Sequence, residues 1–138
     1  MIIEYLKEFE IDSLINLLEE AFEINVNKES IKESLNNPNV KFLCAKENNL
    51  VVGTIMITKK IDPVFDKNSF YLDYVSVLKN YQNRKIGAKM MLEVEKIAKE
   101  ENISYIEFTS NSKRIYARKL YLSLGYEIRD TGVFIKNI

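Results

Sequence analysis

Strands and helices alternate along this chain without segregating, which predicts an α/β (α+β) domain around one mixed sheet. Three observations carry that prediction. Residues 40–46 and 50–58 are apolar, strand-like runs flanking Glu47-Asn48-Asn49, the pattern of a hairpin. Ile86, Met90, Met91, Val94, Ile97 and Ala98 share one helical face directly after a strand at 70–78. A length of 138 residues, 46% hydrophobic and 29% charged, supports one core but not two.

The elements follow in order. Residues 1–6 read as a short strand. Ile11, Leu14, Ile15, Leu18 and Phe22 then repeat at helical spacing, with Asp12 and Ser13 near the start as caps. A second short helix is predicted from Lys28 to Leu35, stopped by Asn36-Asn37-Pro38. After the hairpin, residues 60–69 hold Pro63 and polar neighbours and read as a loop. Strand 70–78 has Val75 and Val77 in alternation. Residues 104–109 form another strand and 112–124 another helix, with Gly125 where a left-handed residue ends it. Residues 126–129 and 133–138, joined by Asp130-Thr131-Gly132, suggest a closing pair of strands. No repeat, low-complexity tract or linker interrupts this order, so 1–138 reads as a single domain.

Composition excludes several chemistries. The sequence contains no histidine, so no Ser-His-Asp or Cys-His nucleophile system and no His-containing zinc site exists. One cysteine cannot close an intrachain disulfide, and Cys44, in an apolar strand, reads as a core residue. Twenty basic residues balance twenty acidic ones, which argues against a nucleic-acid partner held by bulk charge. Glu4, Glu8, Glu10 and Asp12 argue against a signal peptide, and no apolar run approaches the ~20 residues needed to span a bilayer. The expectation is a soluble, cytoplasmic protein with no membrane partner and no metal.

Two stretches carry chemistry. The first is Tyr81-Gln82-Asn83-Arg84-Lys85-Ile86-Gly87-Ala88, a loop running into a helix N-terminus. Free N–H groups and the positive end of the helix dipole meet there, which suits an anion such as a pyrophosphate. Gly87 and Ala88 allow close approach to the backbone. Arg84, Lys85 and Lys89 add positive charge where helix electrostatics prefers acids. The plain alternative is a solvated basic loop; neither a Walker nor a G-x-G-x-x-G motif is present. In the second stretch, Ala117, Leu120, Tyr121 and Leu124 fall on one helical stripe. Taken alone, that stripe makes Tyr121 a core tyrosine.

Together, and in this order, the two stretches resemble the GCN5-related N-acetyltransferase (GNAT) superfamily. The family's acyl-CoA signature, Q/R-x-x-G-x-G/A at a helix start, is matched by Gln82-Asn83-Arg84-Lys85-Ile86-Gly87 followed by Ala88. Its later motif, A-x-x-L/F-Y-x-x-x-G-F/Y, is matched by Ala117, Leu120, Tyr121, Gly125 and Tyr126. The resemblance covers essentially the whole chain, including Leu50-Val51-Val52-Gly53. Lys85 replaces the signature's first glycine and is expected to keep ordinary backbone angles. Arg114 stands where many members carry asparagine.

The resemblance implies a mixed, mostly antiparallel central sheet flanked by helices, with acetyl-CoA as cosubstrate. It further implies transfer of the acetyl group directly to an amine of a small molecule or protein, with no covalent enzyme intermediate. Backbone groups of Val75, Ser76 and Val77 would pair with the pantetheine amides. The N–H groups of about 83–88 would hold the pyrophosphate, and Arg114, with Lys113 and Arg118, would reach the CoA phosphates. Tyr121 matches the family's general acid, whose reference pKa of ~10 lies near a thiol's ~8.5. Asp73 matches a region where members place an acid; its side chain is expected on the same face as Val75's. With a reference pKa of ~3.9 it would work through water or by binding the amine, and the alternative is a carboxylate in solvent or paired with a lysine. Glu19, Glu20 and Glu23, at the end of the first helix, would attract a cationic amine unless they are ordinary solvated acids. A homodimer is an open expectation. Two other readings stand beside the enzyme: a non-catalytic acyl-CoA-binding sensor or regulatory domain of the same fold, and a plain anion-binding interaction domain.

Overall fold

The Asn48-Asn49 hairpin organises the sheet. In the computed structural model, which describes Met1–Ile138, both asparagines take left-handed angles, φ 51° and 65°. Two successive positive-φ residues are what a tight type I′ turn requires, and asparagine tolerates them better than most. The turn joins β2 (Val40–Glu47) to β3 (Leu50–Asp62). β1 (Ile2–Tyr5) pairs with β2 and β4 (Lys67–Val77) with β3, all antiparallel. β5 (Tyr105–Glu107) joins the far edge of β4 in parallel, giving the order β1-β2-β3-β4-β5. This is the mixed, mostly antiparallel sheet expected.

Residues 60–69 are not a loop. The β3–β4 ladder continues to the pair Asp62–Lys67, and only 63–66 turn. Asp62 Oδ1 accepts the N–H groups of Val64 and Phe65 at 2.9 and 3.2 Å, closing the turn with its own side chain. The polar, proline-bearing composition hid these strand ends because solvent-facing hairpin tips tolerate both features.

Helices cover both faces. From α1 (Ile11–Phe22), Leu14, Leu17 and Leu18 bury against Phe42, Cys44 and Val51. α2 (Lys28–Ser34) adds Ile31 to the rim of the same cluster. Ser13 does not cap α1; its hydroxyl accepts the Val51 N–H at 2.9 Å. α3 (Ile86–Glu100) lies on the other face. A Cβ on Gly53 would meet Met90 Cε at 2.9 Å and Ile86 Cγ2 at 3.2 Å, so the missing side chain lets α3 sit this close to β3. Gly53 pairs with Ala45 and Thr54 with Cys44, and neighbours along a strand face opposite ways, which puts α1 and α3 on opposite faces. Burial pushes the Cys44 thiol up to about 11, in keeping with a core residue. No helix is long and apolar enough to cross a membrane.

Met1–Phe108 form one compact unit and Thr109–Ile138 a second. α4 (Ile115–Ser123) carries the predicted stripe, with Tyr121 buried. Gly125, at φ 93°, ends it as expected. The N–H groups of Gly125 and Tyr126 donate to the carbonyls of Leu122 and Tyr121, both at 3.1 Å, in a Schellman arrangement. The closing strands expected at 126–129 and 133–138 are absent. Val133, Phe134 and Ile135 have strand-like side chains, yet all are exposed. Propensity alone does not make a strand, and a hairpin this short is marginal without a sheet to join.

A buried charge cluster ties β1 to β2. Lys46 Nζ lies 2.7 Å from Glu10 Oε1 and 3.1 Å from Glu4 Oε1, and donates to the Tyr5 carbonyl at 3.0 Å. The Lys46 and Glu10 side chains are only 7% and 8% exposed. Burial pulls the Lys46 pKa down, but hydrogen bonds to Glu10 and Glu4 outweigh it and the net shift is upward. The cluster is therefore intact at neutral pH; the Lys46 contribution is lost as pH rises through its elevated value, and the Glu4 contribution, whose carboxyl the Lys46 bond lowers, is lost as pH falls through that lowered value. Removing one partner of such a pair strands the other charge. Lys46→Met is expected to cost about 3 kcal/mol in urea unfolding, and adding Glu10→Gln should recover part of the loss. An unchanged midpoint for Lys46→Met contradicts this.

Candidate functional site

β4 holds one residue more than β3 between two aligned pairs: Met56 faces Asp73, and Thr54 faces Ser76. The surplus makes a β-bulge, with Tyr74 at φ 55°, a costly conformation for a bulky side chain. By this register Asp73 and Ser76 share the face of Met56 and Thr54, which is the α1 face. The expectation that Asp73 and Val75 share a face therefore fails, because the pleat resumes one residue late. The bulge also aims Tyr74 toward α1, where its ring meets Phe22 edge-on at 5.4 Å. Nothing in the sequence signalled this bulge.

From Leu72 onward, on both sides of the bulge, β4 has an open edge. β5 pairs only with Ser69, Phe70 and Tyr71, so β4 from Leu72 to Val77 has β3 on one side and no strand on the other. The Leu78 N–H donates inward to Val52 at 2.8 Å, so alternation turns the N–H and C=O of Val77 outward. The Val77 carbonyl accepts Gln82 Nε2 at 3.2 Å, which anchors the following loop to the strand. The Ser76 hydroxyl donates to the Tyr74 carbonyl at 3.1 Å.

That loop ends in an uncapped helix. Asn83 and Lys85 have φ of 65° and 62°. Lys85 thus departs from the ordinary angles expected of it and follows the backbone path of the glycine it replaces. The left-handed region costs a non-glycine residue about 1 kcal/mol. The next residue, Ile86, is buried against the sheet and holds the helix start in place. The first helical bond runs from the Lys89 N–H to Lys85 at 3.0 Å. The N–H groups of Ile86, Gly87 and Ala88 therefore have no partner in the helix. No side chain caps them, and no acid lies in the first turn. α2 is the contrast: Asn27 accepts from the Glu29 and Ser30 N–H groups, and Glu29 faces the dipole. Exposed Arg84, Lys85 and Lys89 surround the α3 start. Arg84 is positioned by the Tyr81 ring, 4.9 Å away, and by Glu47 at 3.6 Å. Unpaired donors, a positive dipole end and exposed cations together suit a phosphate.

The acids divide into two roles. Glu19 accepts the Val26 N–H at 2.9 Å and Glu20 the Lys79 N–H at 3.1 Å, so both serve the backbone. Glu23 is the left-handed residue closing α1. Asp73 is partly buried, and burial raises its carboxyl above the ordinary range with no ion pair to offset it. In the second unit, burial raises the buried Tyr121 phenol, while the charge of Arg114 and its hydrogen bond pull the other way. Arg114 stands at the start of α4, and Arg118 donates to the Ser110 carbonyl at 3.1 Å. The structure thus gathers Asp73, Val75–Val77 and Gln82–Ala88 along β4 and the α3 start, and Tyr121 with Arg114 on α4.

The profile of the Acetyltransferase (GNAT) family matches residues 11–126. Among solved structures, the ribosomal-protein-alanine N-acetyltransferase of Brucella melitensis biovar Abortus 2308 is 16% identical with a TM-score of 0.84, over 100% of both chains. An aminoglycoside acetyltransferase, meta-AAC0020, from an uncultured soil metagenomic sample is 22% identical with a TM-score of 0.86, over 99% of this chain and 95% of its own. A transcriptional regulator from Bacillus halodurans C-125 is 17% identical with a TM-score of 0.88, over 99% of each chain. No curated protein matches. These structural likenesses carry the fold, while the profile spans β4, the α3 start and α4 alike: the chain belongs to the GNAT acetyltransferase family.

Proposed function

We propose that this chain is an acetyl-CoA-dependent N-acetyltransferase, working as one cytoplasmic domain, that acetylates an amine of a small molecule or protein. The observation that carries the reading is the open edge of β4 leading, through the Gln82 anchor, to the uncapped and cation-ringed start of α3. The N–H groups of Ile86, Gly87 and Ala88, with Arg84, Lys85 and Lys89, would hold the pyrophosphate. The outward groups of Val77, with Val75 and Ser76 beside them, would meet the pantetheine arm. Bound acetyl-CoA supplies an acyl group activated as a thioester, which an amine attacks directly with the thiol as leaving group. Asp73 holds the amine and takes up its proton through water, a task its raised pKa favours. Tyr121 gives a proton to the departing sulfur, and Arg114 partly offsets the burial that makes the phenol reluctant to do so.

Three outcomes test this. Tyr121→Phe should lower kcat about 100-fold or more while leaving acetyl-CoA affinity, measured by calorimetry, nearly unchanged; wild-type kcat in this variant removes Tyr121 as the acid. Asp73 must be ionised to act, so kcat/KM should fall as pH drops through its elevated pKa, and Asp73→Asn should abolish that acidic limb. The linkage has the opposite sign for stability. A carboxyl raised above its ordinary value weakens the fold at neutral pH, so Asp73→Asn should unfold at a slightly higher temperature. Finally, Lys85→Gly fits φ 62° without strain but loosens the unfolded chain, so Tm should move by no more than a few degrees. Its acetyl-CoA affinity should drop a few-fold at low salt and match wild type at high salt; a salt-independent loss contradicts a charge role for Lys85.

A further inference from the structure

We infer that the acceptor is a small primary amine bearing one compact apolar group, aromatic or branched aliphatic, which seats in the cavity between α1, α2 and the β4 bulge. The inference rests on the acetyl-transfer reading and adds the class of acceptor. The cavity is about 230 Å³ and is walled by Phe22, Ile31, Phe42, Met56 and Tyr74, with Ser30 and Ser34 at its α2 side. A cavity near ~150 Å³ already takes a benzene ring, whereas sites for drug-sized ligands start near ~300 Å³. The space therefore fits one ring or branched chain and little more.

Three features make it more than a packing gap. Met56, in its wall, is the cross-strand partner of Asp73, so the partly buried, unpaired carboxylate lies on the same face of the sheet, next in sequence to the wall residue Tyr74. Tyr74 reaches the cavity only because the bulge holds it at φ 55°, a strained state that persists where the surrounding structure enforces it. The α1–α2 connection is fixed by the Glu19 bond to Val26 and the left-handed Glu23, so the wall is preformed. The charge pattern selects further. Glu19 and Glu20 each spend one oxygen on a backbone N–H, whereas Asp73 has no partner and stands on the same sheet face as Met56, which makes it the carboxylate best placed to receive an ammonium. A polycation would have to place its remaining charges against Phe22, Ile31 and Met56 without partners, which is costly.

The test is thiol release from acetyl-CoA with 2-phenylethylamine, isoamylamine, methylamine and spermidine, alongside saturation-transfer NMR of 2-phenylethylamine in the presence of CoA. The expected result is a kcat/KM for 2-phenylethylamine roughly 10- to 100-fold above that for methylamine. Ser34→Leu narrows the cavity from the half-buried end of α2. It should raise KM for 2-phenylethylamine about 10-fold, clearly more than it raises KM for methylamine, which has no apolar group to seat there. Equal or better turnover of spermidine or methylamine overturns the acceptor class and leaves acetyl transfer standing. Binding of 2-phenylethylamine that Ser34→Leu abolishes, with no thiol released from any amine, upholds the cavity and overturns acetyl transfer. Absence of binding, or binding indifferent to Ser34→Leu, overturns the cavity assignment.

Discussion

Between the pairs Met56–Asp73 and Thr54–Ser76, β4 must fit one residue more than β3, and the backbone absorbs it by taking Tyr74 into the left-handed region. The placement of Tyr74 and Asp73 follows from that surplus. β5 accompanies β4 only as far as Tyr71, so the strand beyond has backbone groups with no strand opposite them. Tyr74 swings to the α1 face, and Asp73 stays there with a carboxyl that burial has made more basic. A regular β4 would have hidden Tyr74 from α1 and paired Asp73's face with Val75.

The site is built from locally unfavourable choices on a platform that tolerates them. Tyr74, Asn83 and Lys85 sit in a backbone region that L-residues avoid, α3 begins without a cap, and Asp73 is partly buried without a partner. Each costs stability, and each leaves a group able to engage a ligand. The compensation lies elsewhere in the same unit. α3 is drawn against β3 by the absent side chain of Gly53. α1 packs its leucines on Phe42 and Cys44. Lys46 holds Glu10, Glu4 and the Tyr5 carbonyl in one buried knot.

Much of this was legible in the residues, for identifiable reasons. The Asn48-Asn49 turn and the Gly125 cap were readable because few residues take positive φ there. The faces of α1 and α3 were readable because burial forces helical spacing. The Gln82–Ala88 motif marked the uncapped start of α3, and Ala117 through Tyr126 marked the helix that buries Tyr121. What stayed hidden depended on partners distant in sequence. A bulge is a mismatch between two strands, and neither strand alone records it. The committed roles of Glu19 and Glu20 depend on where Val26 and Lys79 arrive. Lys85 looked like a departure from the glycine path because side-chain identity alone does not show that a buried Ile86 enforces it. The strand-like residues near the C-terminus show the reverse case, where propensity without a ladder yields no strand.

In the proposed function, the open edge of β4 and the uncapped start of α3 form one continuous binding surface for acetyl-CoA. Backbone-amide NMR during titration with CoA reads that surface directly. The amides of Ile86, Gly87 and Ala88 should move most, together with those of 75–77 and 83–85, while β1 and β2 amides stay in place. CoA binding that leaves 86–88 and 75–77 unshifted would contradict it.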